Sequence, residues 1–218
     1  QQEDLRNSKD YQSLKSRYDA LKTEVENLKT TNKDKKQQLK KISDFDNSKA
    51  ELKKAACEAI DRNRDKIIEL GDSIFAEPEL GYKEFKTSKK FQAAMDELGF
   101  QYESGVAITG VISTQKGKES KMKVALMGEL DAVVVPDHPC ADPLTGGAHA
   151  CGHNCQIASV VGAAIAIKEA NLMEDLFGDI ALMAVPSEEF VELEFRNKLR
   201  EEGKISFLGG KQEFVKLG

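Results

Sequence analysis

Residues 123–131 read KVALMGELD, and residues 180–189 read IALMAVPSEE. Each is a short apolar run that ends in carboxylates, and the second is stopped by Pro186. Apolar runs of this length, without polar alternation, fit buried strands. Between them, Asn154 can cap a helix that carries Ile157, Val160, Val161, Ala164, Ile165 and Ile167 and reaches about Ala170. Strand, helix, strand predicts an α/β fold, a sheet covered by helices. In such sheets the chemistry gathers beyond the carboxyl ends of the strands.

Upstream, Ala107–Ser113 (AITGVIS) reads as a further strand and Lys116-Gly117-Lys118 as a hairpin-like turn. A helix is expected from about Lys83 to Leu98, with Phe91, Ala94, Met95 and Leu98 inward and Gly99 as its stop. Another is expected from about Ser48 to Leu70, with Leu52, Ala55, Ala56, Ala59, Ile60, Ile67 and Leu70 on one face and Gly71 near its end. Glu77–Gly81 joins the two as a turn. Downstream, Glu192–Glu202 reads as a very polar helix followed by a glycine-punctuated tail.

Residues 1–48 differ in kind. All 16 Gly and all 5 Pro of the 218 residues lie from Gly71 onward. The first fifty residues hold 12 Lys+Arg and 9 Asp+Glu (net +3), and the rest hold 20 and 28 (net -8). Tyr11, Leu14, Tyr18, Leu21, Val25 and Leu28 follow a 3-4-3-4-3 spacing, which lines one stripe of a helix. Asn32 and Lys35 interrupt the seam before Leu39 and Ile42 resume it, and Asp44–Ser48 is expected to break the heptad. The pattern predicts a long helical, coiled-coil-like extension over 1–48 that self-associates weakly through residues 11–42. The alternative is a charged helix or tail with no fixed partner. Residues 49–218 form the second, α/β unit.

A net charge of -5 with no Trp and 6% aromatics argues against nucleic acid as a partner. No apolar run is long enough to cross a bilayer, so no membrane is expected. Four Cys are too few for a disulfide framework; reduced cysteines in a cytoplasmic protein are expected.

The unusual residues stand in the loops after these strands. Cys151 and His153 offer a thiolate and an imidazole two residues apart beside Gly152. With Glu189 as a third donor the set suits zinc, with manganese or cobalt as alternatives. Glu188 can then act as general base, and Asp131, two residues after Glu129, can hold a ligand histidine through its other ring nitrogen. His149 is open between ligand, support and plain loop residue. The bland alternative buries Cys151, lets His153 cap the helix and leaves Glu188 and Glu189 exposed. Cys155 and Cys57 read as small core residues, and His138 and Cys140 as members of a solvated loop.

GELDAVVVPDHPCADPLTGGAHACGHN (128–154), VPSEEFVELEFRNKLREEGKISFLGGKQE (185–213) and FAEPELGYKEFKTSK (75–89) resemble the zinc-dependent amidohydrolases of the aminoacylase/carboxypeptidase family. The likeness runs from about residue 55 to 218, and within the family it is strongest to the branch of the aminobenzoyl-glutamate hydrolases and Xaa-Arg dipeptidases. The resemblance implies a metallopeptidase catalytic domain, present only in its amino-terminal part, with one or two divalent ions in the complete site. It implies Cys151, His153 and Glu189 as ligands, Glu188 as general base, and Asp131 as the catalytic-site aspartate. His149, Glu129 and Asn154 are implied as supporting residues. The implied reaction is hydrolysis of the amide bond of small N-acyl amino acids or dipeptides. Family members are much longer and supply further ligand histidines; here the histidines are His138, His149 and His153 alone. The resemblance therefore predicts a fragment with impaired activity, and the rival reading is a noncatalytic piece with an interaction arm.

Overall fold

The computed structural model describes residues 9–218, and for residues 9–11 and 42–48 it describes the backbone only. The seam positions Tyr11 and Ile42 thus lie outside the described side chains. Helix α1 spans Lys9–Arg62. It does not break at Asp44–Ser48 as expected, because Asp, Asn and Ser are only mildly unfavourable inside a helix and neither Gly nor Pro occurs there. The chain divides into two compact units between Glu51 and Leu52. In the first, Leu14, Tyr18, Leu21, Val25, Leu28 and Leu39 are all exposed. No helix among the described residues is long and apolar enough to cross a membrane.

In the second unit α1 ends at Arg62, and α2 (Arg64–Phe75) begins after Asn63. The single helix expected to stop near Gly71 is therefore two. At Asn63 the backbone leaves helical geometry (φ -103°, ψ 11°), and its amide donates to the Ala59 carbonyl at 2.9 Å and to Glu169 at 2.7 Å. Gly71 lies inside α2, where an added Cβ would touch that of Ala158 at 3.4 Å, so its role is close helix packing. Cys57, expected in the core, is exposed. Helix α3 (Phe85–Leu98) ends on Gly99, whose φ of 69° is the left-handed stop that glycine favours.

Strands β1 (Glu103–Val106), β2 (Gly110–Gln115), β3 (Lys123–Glu129) and β6 (Asp179–Val185) form one sheet in the order β1-β2-β6-β3. The strand expected over Ala107–Ser113 is in fact the β1–β2 turn and most of β2, with φ positive at Ala107 and Ile108. Lys116-Gly117-Lys118 is not a hairpin turn, because β6 lies between β2 and β3. β6 is antiparallel to β2 and parallel to β3. The parallel pair is joined by α4 (His153–Glu169), as expected of a strand–helix–strand unit. A small ribbon pairs β4 (Val133–Val134) with β5 (Gly147–Ala148).

Ile74, Phe91, Met95, Val111, Ile157, Val161, Ile165 and Leu182 form the main core, which α2, α3 and α4 close over the sheet. Side chains alternate across a strand: Val111 enters this core, whereas a Cβ on Gly110 would meet the Phe214 ring on the other face. There α5 (Leu193–Glu201) and α6 (Gly210–Leu217) contribute Leu199 and Phe214, with Leu208 between them, to a smaller cluster around Tyr82. Helix α6 stands where a glycine-punctuated tail was expected. β3 forms the sheet edge rather than a strand buried on both faces, with Val124 49% and Met127 52% exposed.

Candidate metal centre

Parallel pairing sets Glu129 of β3 opposite Val185 of β6. The segments that follow, Leu130-Asp131 and Pro186–Glu189, therefore leave the sheet side by side. Helix α4 runs back along the sheet, which brings its first residue, His153, to the same end. Two glycines permit the approach. A Cβ on Gly128 would press on Gln156 and Ile157 at 3.0–3.1 Å, and Gly152 turns the chain into α4 at φ 103°.

His153 is almost wholly buried. Its Nδ1 lies 2.7 Å from the main-chain carbonyl of Asp131 and 3.4 Å from the Asp131 carboxylate. Its Nε2 faces Glu129 at 2.8 Å, Glu188 at 3.8 Å and Glu189 at 3.9 Å. Burial would lower the imidazole pKa, but Asp131 and Glu129 outweigh it and hold the value near 9. Asp131 is fully buried; one carboxylate oxygen accepts the Glu189 N–H at 2.9 Å, and the other is the one that faces His153 Nδ1. Cys151 is exposed, and the facing Glu189 carboxylate raises its thiol pKa.

The donor atoms of Cys151, His153 and Glu189 lie within 4.8 Å of one another, and so do those of Glu129, His153 and Glu188. Ion–donor distances of about 2.0–2.3 Å allow donors to stand about 4 Å apart, so small side-chain adjustments suffice to share an ion. Thiol, imidazole and carboxylate donors gathered this closely fit a divalent cation. The burial is the reverse of the bland alternative, since His153 is buried and Cys151 open.

The other sequence candidates fare differently. His149 is buried with neither ring nitrogen hydrogen-bonded, and burial followed by the nearby His153 charge lowers its pKa to about 4. It belongs to neither donor group. Asn154 does not cap α4; Gly152 holds that position, and the Asn154 amide donates to the Gly71 carbonyl at 3.3 Å, tying α4 to α2. Cys155, expected to pack inside, is exposed on the open side of α4. In the loop, His138 Nδ1 accepts the Cys140 N–H at 3.1 Å, and neither residue belongs to a donor group.

Residues outside the sequence candidates position the PSEE loop. Arg196 of α5 is fully buried and donates to the carbonyls of Glu189 and Leu208. The Glu189 peptide is thus held from both sides, its N–H by Asp131 and its carbonyl by Arg196. Glu84 is also fully buried and accepts the Ser187 N–H at 2.8 Å and the Thr109 hydroxyl at 2.6 Å. Ser187 itself sits at φ 54°. Lys211 of α6 pairs with Glu129 and lies 3.6 Å from Glu188. Only Arg196 left a sequence signal, a charge three residues before the inward Leu199 on one helix stripe.

None of the protein-family models scanned matches the chain. Curated relatives do match. An IAA-amino acid hydrolase ILR1-like protein from Arabidopsis thaliana is 35% identical over 130 residues, covering 57% of this chain and 29% of the relative. Thermostable carboxypeptidase 2 from Saccharolobus solfataricus is 35% identical over 130 residues, covering 57% and 32%. Among solved structures, a dinuclear metal-binding peptidase of the M20 family from Bacillus subtilis superposes with TM-score 0.50 at 27% identity, over 63% of this chain and 39% of that one. A putative aminohydrolase from Staphylococcus aureus shares the fold, with TM-score 0.60 at 20% identity over 76% and 39%. Over part of their length the chain is thus similar to amidohydrolases and carboxypeptidases, one of them a metal-binding peptidase. It spans about a third of the length of the curated relatives it matches.

Proposed function

We propose that this chain supplies the ion site and general base of an amidohydrolase that cleaves small N-acyl amino acids or dipeptides. The convergence of Cys151, His153 and Glu189 within 4.8 Å, with Glu188 alongside, carries the reading. The thiol and imidazole favour zinc, with manganese or cobalt as alternatives. A divalent ion held there supplies Lewis-acid polarisation and makes water more acidic.

The chain's own residues do the rest. Asp131 fixes the His153 ring through Nδ1 and leaves Nε2 for the ion. Glu188, half-open to solvent, takes a proton from the attacking water. As the water oxygen bonds to the carbonyl carbon and the C–N bond breaks, Glu188 returns that proton to the departing amine. Glu129 and Asn154 keep the aminobenzoyl-glutamate-like branch as the proposed assignment, with His149 a neutral support behind the site. Cytoplasmic location accords with four unpaired cysteines.

The test is ion content and hydrolysis of an N-acyl amino acid and dipeptide panel by the purified chain. Cys151→Ser should lose the ion; Glu188→Gln should keep the ion and lose any turnover. An ion retained in full by Cys151→Ser would refute the ligand set.

A second reading rests on the apolar stripe of α1, whose six described members are 49–67% exposed. In it the chain is a noncatalytic hydrolase piece with a coiled-coil arm. Ion binding without turnover, and a sedimentation mass that doubles with concentration unless Leu21 is changed to Glu, would favour it. A monomer at all concentrations would remove the arm.

A further inference from the structure

The two donor groups, Cys151–His153–Glu189 and Glu129–His153–Glu188, meet at one imidazole. Nδ1 of His153 is engaged at 2.7 Å by the Asp131 carbonyl, so Nε2 alone can ligate. A ring nitrogen has one lone pair and serves one ion. The group with the thiolate is the better host for a borderline-soft ion. Once that group takes Nε2, Glu129 and Glu188 are left as two facing carboxylates within 4.8 Å, whose repulsion a cation between them relieves.

Lys211 stands there. Its ammonium bonds Glu129 and lies 3.6 Å from Glu188, so it bridges the pair. The placement is set by backbone contact. The Gly210 N–H donates to the Ser187 carbonyl at 3.1 Å, and a Cβ on Gly210 would run into the Pro186 carbonyl. The start of α6 is therefore seated on the loop that carries Glu188, and the next residue delivers the charge.

We propose that Lys211 is a built-in counter-cation for Glu129 and Glu188, which limits this chain to one tightly held divalent ion. The inference rests on the reading of Cys151, His153 and Glu189 as the ion site. Lys211 occupies the space a second ion would need and cancels part of the negative charge that would attract it. Its ammonium also orients the Glu188 carboxylate from 3.6 Å.

The experiment is titration of the metal-free chain with zinc alone, with bound ions counted by elemental analysis and affinities read by calorimetry. The wild type should bind one ion tightly. Lys211→Met should gain a second, its affinity rising by about tenfold or more, as expected when a close charge pair is released. Lys211→Gln, which keeps polarity without charge, should behave alike, and Lys211→Met with Glu129→Gln should return to one ion. Circular dichroism checks that each variant is folded. Two comparable ions in the wild type, or one ion in both Lys211 variants, would overturn the proposal. Cobalt separates this failure from failure of the reading beneath it. The thiolate-to-cobalt absorption band must appear with the first ion and vanish in Cys151→Ser; its absence would remove the ion site itself, whatever Lys211 does.

Discussion

Replacing Glu84 by Gln should make the metal-free protein more stable at pH 8 and nearly unchanged at pH 5. Glu84 is fully buried behind the PSEE loop. Burial first, then the charge of Asp131, pushes its pKa from 4.5 to about 7, while the Thr109 and Ser187 hydrogen bonds hold it back. Between those values the folded chain keeps a proton that the unfolded chain has released. Stability is therefore fully present below about pH 4.5 and falls as pH rises through 7. At about 1.4 kcal/mol per pKa unit, the loss amounts to roughly 3 kcal/mol. Gln has nearly the same shape, still accepts the Ser187 N–H, and can donate to the Thr109 hydroxyl, which accepts as readily as it donates. Urea unfolding of both proteins from pH 4.5 to 8.5, followed by circular dichroism, isolates Glu84, because every other titrating group is common to the pair. A stability difference that stays flat with pH, or a variant less stable at pH 8, would refute the reasoning.

Arg196→Met should cost about 1–3 kcal/mol, since it removes a buried guanidinium that donates to the Glu189 and Leu208 carbonyls and leaves them only the Val191 N–H and the Ser187 hydroxyl. The same change should weaken zinc binding by about tenfold or more, and unaltered zinc affinity would show that Arg196 does not position Glu189. Gly81→Ala should destabilise by about 1–3 kcal/mol, because the added methyl meets the Arg196 guanidinium, which is too enclosed to move aside; chemical denaturation checks it. Asp179, whose pKa is lowered to about 2 first by its Lys116 bond and then by Ser120, contributes stability that disappears as pH falls from about 4 toward 2. Asp179→Asn should remove that part of the acid dependence, and an unchanged acid profile would show the Lys116 pair to be inert.

Local chemistry is legible where it is strong. The two apolar runs beside carboxylates lie within β3 and β6, and the helix between them is α4. Gly99 ends α3 because a left-handed residue is needed there. The β1–β2 turn leaves no local mark because Ala107 and Ile108, not glycine, take positive φ, and tertiary packing at that turn overrides their preference. Strand order is a long-range property, so nothing in KVALM distinguishes an edge strand from a central one. Cys57 and Cys155 read as core residues since cysteine is usually buried, yet both fall on open helix faces. Cys151, His153, Glu188, Glu189, Asp131 and Glu129 stand out because reactive residue types cluster in loops. Glu84 and Lys211 do not, since each reaches the site from a separate element and looks like an ordinary surface charge until the chain folds.

Ser187 bears on how this loop tolerates change. A non-glycine residue at φ 54° stores about 1 kcal/mol or more. Glycine at 187 would release that strain on the folded side but gain freedom on the unfolded side, and it would discard the hydroxyl that approaches the Leu208 carbonyl. A sequence drifting toward robustness has a tempting substitution here, and accepting it would let the adjacent glutamates wander from their aim.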